Sequence, residues 1–268
     1  MENKELKKKF WDDIKKETNI EDINNFFENC KNINEALPIL QKINKYFLIN
    51  YKLNFEYEGK VINIIPIETE IYFSKLNKDN RPDDGMCHMN DLQKGKDKNG
   101  NDRFGKLYFH RYSQKYKNDD SNKINYARGG VDVCISNSKD YYLSILIRSA
   151  FINDTEEENL YSGINNICKG IIRFYKPTKC LQCFFKELEV IEELVIKRRN
   201  KEVNITNLFE QPRISNKEYS KKNKENLNCL NLGKDYQYLN IINKKQTFYK
   251  KYNSFEKLKN YKESFNRN

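Results

Sequence analysis

The stretch from Asn54 to Phe73, NFEYEGKVINIIPIETEIYF, constrains the fold more than any other part of this chain. Tyr57-Glu58-Gly59-Lys60 reads as a turn between two runs of strand formers, which makes a hairpin entering a long strand. Ile64, Ile65, Ile67, Ile71 and Phe73 mark that strand as buried, yet Glu68 and Glu70 stand among them. An unpaired buried charge costs several kcal/mol. A chain that keeps glutamates here must pair them, solvate them or use them. Strand alternation puts Glu68 and Glu70 on one face and Thr69 on the other.

Before the hairpin the periodicity is helical. Leu6, Phe10, Trp11 and Ile14 recur at helical spacing with lysines opposite, predicting a helix over 4–17. NIEDINNFFENC (19–30), with Asn19 as cap, and NEALPILQKINKYFLINYKL (34–53), with Pro38 near its start, read as two more. Residues 1–54 are thus expected to form a helical layer. After the hairpin, polar loops (74–105 and 113–128) separate short strands at GKLYFHRY (105–112), GGVDVCIS (129–136) and YYLSILIRSAFI (141–152). SGINNICKGIIRFYK reads as a short helix, CLQCFFKELEVIEELVIKRRN as helix or strand, FEQPRIS as a bend and DYQYLNII (235–242) as a late strand. Residues 243–268 form a Lys/Asn/Tyr-rich tail. Short strands with long loops and flanking helices make an α+β class: a mixed, largely antiparallel curved sheet over 55–242 plus the helical layer.

Both histidines fall in this middle region: His88 in DDGMCHMNDLQ and His110 after the aromatic strand LYF. Asp132 in GVDVC and Arg148 in LIRS are, like the glutamates, ionisable groups inside apolar strand runs. Taken singly, each fits a solvent-facing position on an antiparallel sheet. Collected on neighbouring strands, they predict one polar cleft, the usual setting of an active site. Tyr108, Tyr141 and Tyr142 read as sheet packing.

With 49 Lys+Arg against 38 Asp+Glu the chain carries +11. A polyanionic partner such as nucleic acid fits that balance, as does plain over-use of lysine. Seven cysteines, an odd count with no apolar leader, fit a reducing cytoplasm. No apolar run is long enough to span a membrane. The lone pair Cys180-Leu-Gln-Cys183 has no second pair or adjacent histidine, so no metal is expected and these cysteines read as free. GG at 129–130 is no phosphate loop. The lysine runs at 7–9, 221–222 and 250–251 read as solvated faces unless they lie beside a nucleic-acid groove.

The order of these segments resembles the alkyladenine (3-methyladenine) DNA glycosylase family. ETEIY (68–72) is similar to its E-T-E-A-Y stretch, and Gly105-Lys106-Leu107-Tyr108 to its G-x-L-Y strand. GGVDVCIS resembles its glycine-then-cysteine strand, Leu146-Ile147-Arg148 its L-L-R, Ser162-Gly163 its helix start and Pro212-Arg213-Ile214 its P-R-I/V stretch. The likeness covers about residues 55–242 and rests on order more than on any one motif. It implies a monofunctional glycosylase acting on double-stranded DNA as a monomer, with no cofactor, flipping a base and hydrolysing its N-glycosidic bond. Carried over by position, Glu70 is the base that activates water, His88 and Arg148 hold that water, and Tyr72 stacks on the flipped base.

Three departures put the substrate in doubt. His110 stands where the family has an aromatic residue. Ser136 stands where it has a discriminating Asn, and Asp132 is new to that face. Arg128, beside Tyr126, replaces the intercalating tyrosine, with Tyr112 and Tyr116 as other wedges. A pocket with His110, Asp132 and Ser136 favours a polar or phage-type modified base, unless His110 and Asp132 merely pair with each other. The competing readings are a non-catalytic nucleic-acid-binding module and hydrolysis of a free nucleoside.

Overall fold

The structure is a computed structural model, and it describes residues 3–76, 87–110, 129–154, 157–193, 195–199, 208–211 and 231–234. The chain divides into two units, one comprising 1–204 with 210–233 and the other 205–209 with 234–268. The first unit is mixed α+β, with a curled, antiparallel, half-barrel sheet and five helices among the described residues.

Three helices come first: α1 (Asn3–Thr18), α2 (Ile23–Asn29) and α3 (Ile33–Asn50). Asp22 and Asn32 cap α2 and α3 by accepting hydrogen bonds from backbone N–H groups of the first turn. Two expectations are corrected in α3. It begins at Ile33, so Pro38 lies inside the helix rather than at its start, and the ladder loses one bond there. It also ends at Asn50 rather than running to Leu53. Tyr51 and Leu53 are buried and alternate with Lys52 and Asn54, a period of two, so Tyr51 opens a strand.

That strand, β1 (Tyr51–Tyr57), pairs antiparallel with β2 (Lys60–Ser74) through the expected turn. Glu58 and Gly59 both have positive φ, 50° and 75°, the geometry of a two-residue hairpin, which a glycine accepts without strain. The remaining strands are β3 (Leu107–Phe109), β4 (Val131–Cys134), β5 (Tyr142–Asp154), β6 (Glu157–Ser162), β7 (Ile196–Arg198), β8 (Leu208–Gln211) and β9 (Asn231–Lys234). The sheet runs β3-β4-β5-β2-β1-β7, with β6 on β5 and β9 beside the Glu68–Glu70 segment of β2. The sequence reading missed β6, whose residues are mostly polar. The unassigned 180–200 segment divides into helix α5 (Leu181–Glu189) and strand β7, while α4 (Ile164–Tyr175) falls where a helix was expected. The wedge candidates Tyr112, Tyr116, Tyr126 and Arg128, the Pro212-Arg213-Ile214 stretch, the 235–242 strand and the 243–268 tail lie outside the described residues.

Two bulges decide what β2 presents to each side. Between Pro66 and Glu68 the register passes over Ile67, and on β5 it passes over Arg148 between Ser149 and Ile147. One inserted residue moves every later side chain to the opposite face. Ile62 and Ile64 therefore enter the main core at even positions, and Ile71 and Phe73 at odd ones. The same switch occurs on β5, from Ile145 and Ile147 to Ala150 and Ile152. The core lies between this face and the helical layer, and Thr69 reaches α3 there, donating to Asn44 Oδ1 at 2.9 Å. Glu68, Glu70 and Tyr72 are left on the other face.

Candidate active site

Residues paired across antiparallel strands share a face. Tyr108 pairs with Asp132, Asp132 with Leu146, and Leu146 with Glu70, so one row of side chains crosses β3, β4, β5 and β2. A second row joins Cys134, Ser144 and Tyr72. The polar face expected from sequence exists, but it carries two separate networks.

The first surrounds Glu70, which is fully buried. Arg148 Nη1 donates to Glu70 Oε2 at 2.5 Å, and the Tyr72 hydroxyl donates to Oε1 at 3.0 Å. Arg148 Nε lies 3.4 Å from Glu68 Oε1, and Ser149 Oγ donates to Glu68 Oε2 at 2.7 Å. In a regular strand Arg148 and Ser149 would point to opposite faces; the bulge lets both reach the glutamates. Burial alone would lower the Arg148 pKa, but the facing carboxylates of Glu70 and then Glu68 outweigh it and raise the value. The guanidinium stays charged and offsets the cost of burying Glu70. Glu68 and Arg148 are 24% and 17% exposed, so the network has a wet edge and a dry floor.

The second network surrounds Asp132, also fully buried. Oδ1 lies 2.7 Å from His110 Nε2. Oδ2 accepts from Gln93 Nε2 at 3.0 Å and from Ser144 Oγ at 2.8 Å. Gln93 is held by a 3-10 turn (Asp91–Gln93), where Asn90 N–H donates to its Oε1 at 3.0 Å. Gly130 lies close behind His110: a Cβ there would stand 3.0 Å from Nδ1, so the ring would have to give by a few tenths of an ångström. The His88 ring lies 4.2 Å from that of His110, and His88 Nδ1 is 3.1 Å from the Tyr108 hydroxyl. Nearby, burial and then the charge of Asp132 push the Cys168 thiol up to about 12, and burial pushes Cys134 up to about 12.

Between the two lies an apolar cluster of Leu146, Tyr72 and Cys87 with Met89, Tyr142 and Ile164 against it. Asp132 and Glu70 are two strands apart, roughly 10 Å along the sheet.

The sequence-based assignments divide accordingly. Glu70 and Arg148 come together as expected. The contacts described for His88 are with Tyr108 and His110, on the β3 side, rather than with Glu70. Tyr72 has its ring in the apolar cluster and its hydroxyl on Glu70. His110 and Asp132, expected to read a polar base, pair with each other, and both Asp132 oxygens are taken. Ser136, expected in the base pocket, is buried, with its hydroxyl donating to Ser138 O at 2.9 Å and to Tyr141 O at 3.1 Å, where it fastens the β4–β5 connection. Gln93 and Ser144 were missed. Ser144 was accessible to reasoning, because it shares a face with Leu146 by alternation, whereas Gln93 arrives from a loop. Tyr141 is core, as expected, but Tyr108 joins the polar network. Among the described residues no group of His, Cys, Asp and Glu is arranged to hold a metal ion, and no helix is long and apolar enough to cross a membrane. In comparison with known proteins, the chain matches no family model and no curated sequence.

Proposed function

We propose that this protein is a DNA glycosylase of the alkyladenine type that hydrolyses an N-glycosidic bond with a Glu70-activated water. The observation that carries the reading is a buried, arginine-held carboxylate at the centre of a curled sheet, with a wet edge beside it. Arg148 is bonded to Oε2 and holds the carboxylate in place. Oε1, bonded to a neutral hydroxyl, is the oxygen that can exchange Tyr72 for a water. That water gives its proton to Oε1 as its oxygen attacks the anomeric carbon, and the bond to the base breaks with its electron pair leaving on the base. The carboxylate also stabilises the positive charge that develops on the sugar.

The net charge of +11 supports a nucleic-acid partner. The lysines of α1 belong to the helical layer behind the sheet, on the face away from Glu70, so they are not what would hold DNA over this site. The test is abasic-site formation by the full-length protein across a panel of alkylated, deaminated and hypermodified duplexes, with binding measured at rising salt. Excision of at least one base, together with binding that weakens as salt rises, supports the proposal. Salt-sensitive binding without excision of any base would favour a non-catalytic binding module instead.

A further inference from the structure

Six cysteines fall in the described residues, and they behave as two kinds. Cys30, Cys87, Cys134 and Cys168 are buried. Cys180 and Cys183 are exposed and joined by a disulfide, with Cα atoms 5.4 Å apart, which corrects the expectation that they are free. We propose that Cys180 and Cys183 form a thiol–disulfide exchange site, independent of the Glu70 site, whose substrate is the disulfide of a low-molecular-weight thiol.

Three features of the pair point to exchange rather than to stapling. First, the bond closes a loop across only three positions, so it removes little entropy from the unfolded chain. Secondly, α5 is fixed without it. Phe184, Phe185 and Leu188 are buried in the core, and the Glu189 carboxylate accepts the Phe109 N–H at 2.9 Å. A bond that holds nothing together can open without unfolding the protein. Thirdly, the two sulfurs are not equivalent. Cys180 is the N-cap of α5, and its Sγ accepts the Cys183 N–H at 3.2 Å. In the reduced form that N–H and the positive end of the helix favour a thiolate at Cys180. Cys183 lies within the first turn and contributes the N–H. The nearby Lys179 is committed to Glu187 and Glu58, so the helix end rather than a lysine activates the sulfur. The buried thiols Cys134 and Cys168 are pushed up to about 12 and stay unreactive at neutral pH.

The reaction is balanced as follows. The Cys180 thiolate attacks one sulfur of the small-molecule disulfide, a mixed disulfide forms at Cys180, and one thiolate leaves and takes a proton from water. Cys183 loses its proton and attacks the Cys180 sulfur, which closes the Cys180–Cys183 bond and expels the second thiolate. Two electrons pass from the protein dithiol to the small disulfide. The reverse sequence consumes two small thiols and yields the protein dithiol.

The test uses the full chain in a Cys229→Ser background, equilibrated with mixtures of reduced and oxidised glutathione, then alkylated and weighed. The expected result is two alkylation sites that appear and vanish together as the ratio changes, both mapping to Cys180 and Cys183. After full reduction, Cys183→Ser should trap one glutathione at Cys180 at least about tenfold faster than Cys180→Ser traps one at Cys183. The proposal is overturned if the pair stays oxidised in excess reduced glutathione, if it stays reduced in excess oxidised glutathione, or if the two variants trap at the same rate. The titration of the unmutated pair decides the first two outcomes even if a serine variant fails to fold.

Discussion

Glu70 and Asp132 are both fully buried carboxylates, two strands apart on one face of one sheet, and they are held in opposite ways. Glu70 is balanced by a cation, Arg148, which a bulge on β5 aims at it and which touches solvent. Asp132 is closed in by His110, Gln93 and Ser144, with both oxygens engaged. A charge-balanced carboxylate with a wet edge can change its hydrogen-bond partner during a reaction. A carboxylate enclosed by several donors from three segments fixes where those segments sit. The difference separates a candidate catalyst from a candidate organiser, although the two look alike in sequence.

The comparison breaks first at Arg148. Arg148→Met removes the cation bonded to the buried Glu70 carboxylate, and thermal or denaturant unfolding should show a loss of about 3–5 kcal/mol. A loss under 1 kcal/mol would mean that Glu70 is not held by this pair. Asp132→Asn turns an acceptor into a donor facing Gln93 and Ser144, and should cost about 1–3 kcal/mol in the same assay. Its side effect should be greater mobility of the 87–95 segment, seen as faster amide exchange there.

Alkali tests the second network separately. Burial raises the Cys168 thiol from 9.0 to about 12, with Asp132 adding to the effect, and raises Cys134 to about the same value. A raised folded-state pKa gives stability that is fully present below the unfolded value and is lost as pH rises toward the folded one. Stability should therefore fall between pH 9 and pH 12, with each thiol contributing a slope of about 1.4 kcal/mol per pH unit. Cys168→Ala should flatten that slope, and an unchanged slope would contradict the assignment. The smallest effect is expected at Ser144→Ala, about 0.5–1.5 kcal/mol, because Gln93 and His110 remain on Asp132.

Much of this was legible in the sequence where a pattern had a single reading. Gly59 fixed the hairpin, and the apolar runs at 129–136 and 141–152 read as two strands. Glu70 and Arg148 stood out as charges in apolar runs. The bulges were not legible. Ile64, Ile65 and Ile67 surround Pro66, and such a run is apolar in either phase, so it conceals the step that moves Glu68 and Glu70 off the core face. At Arg148 the same step is concealed by apolar residues on both sides. The pairing of His110 with Asp132 was visible only as one of several outcomes, because cross-strand register is not encoded locally. Gln93 was lost because a loop residue reaches the sheet through a turn whose cap, Asn90, gives no sign of where it points.

The most direct measurement is single-turnover abasic-site formation by Glu70→Gln and Asp132→Asn, each first checked for native near-ultraviolet circular dichroism and for DNA binding, on whichever duplex the unmutated protein excises best. Glu70→Gln should bind as before and lose on the order of 10²–10⁴-fold in excision rate. Asp132→Asn should be less stable yet stay within about tenfold of the unmutated rate once folded. Unchanged excision by Glu70→Gln, or equal losses in the two variants, would contradict the assignment of chemistry to Glu70 and of scaffolding to Asp132.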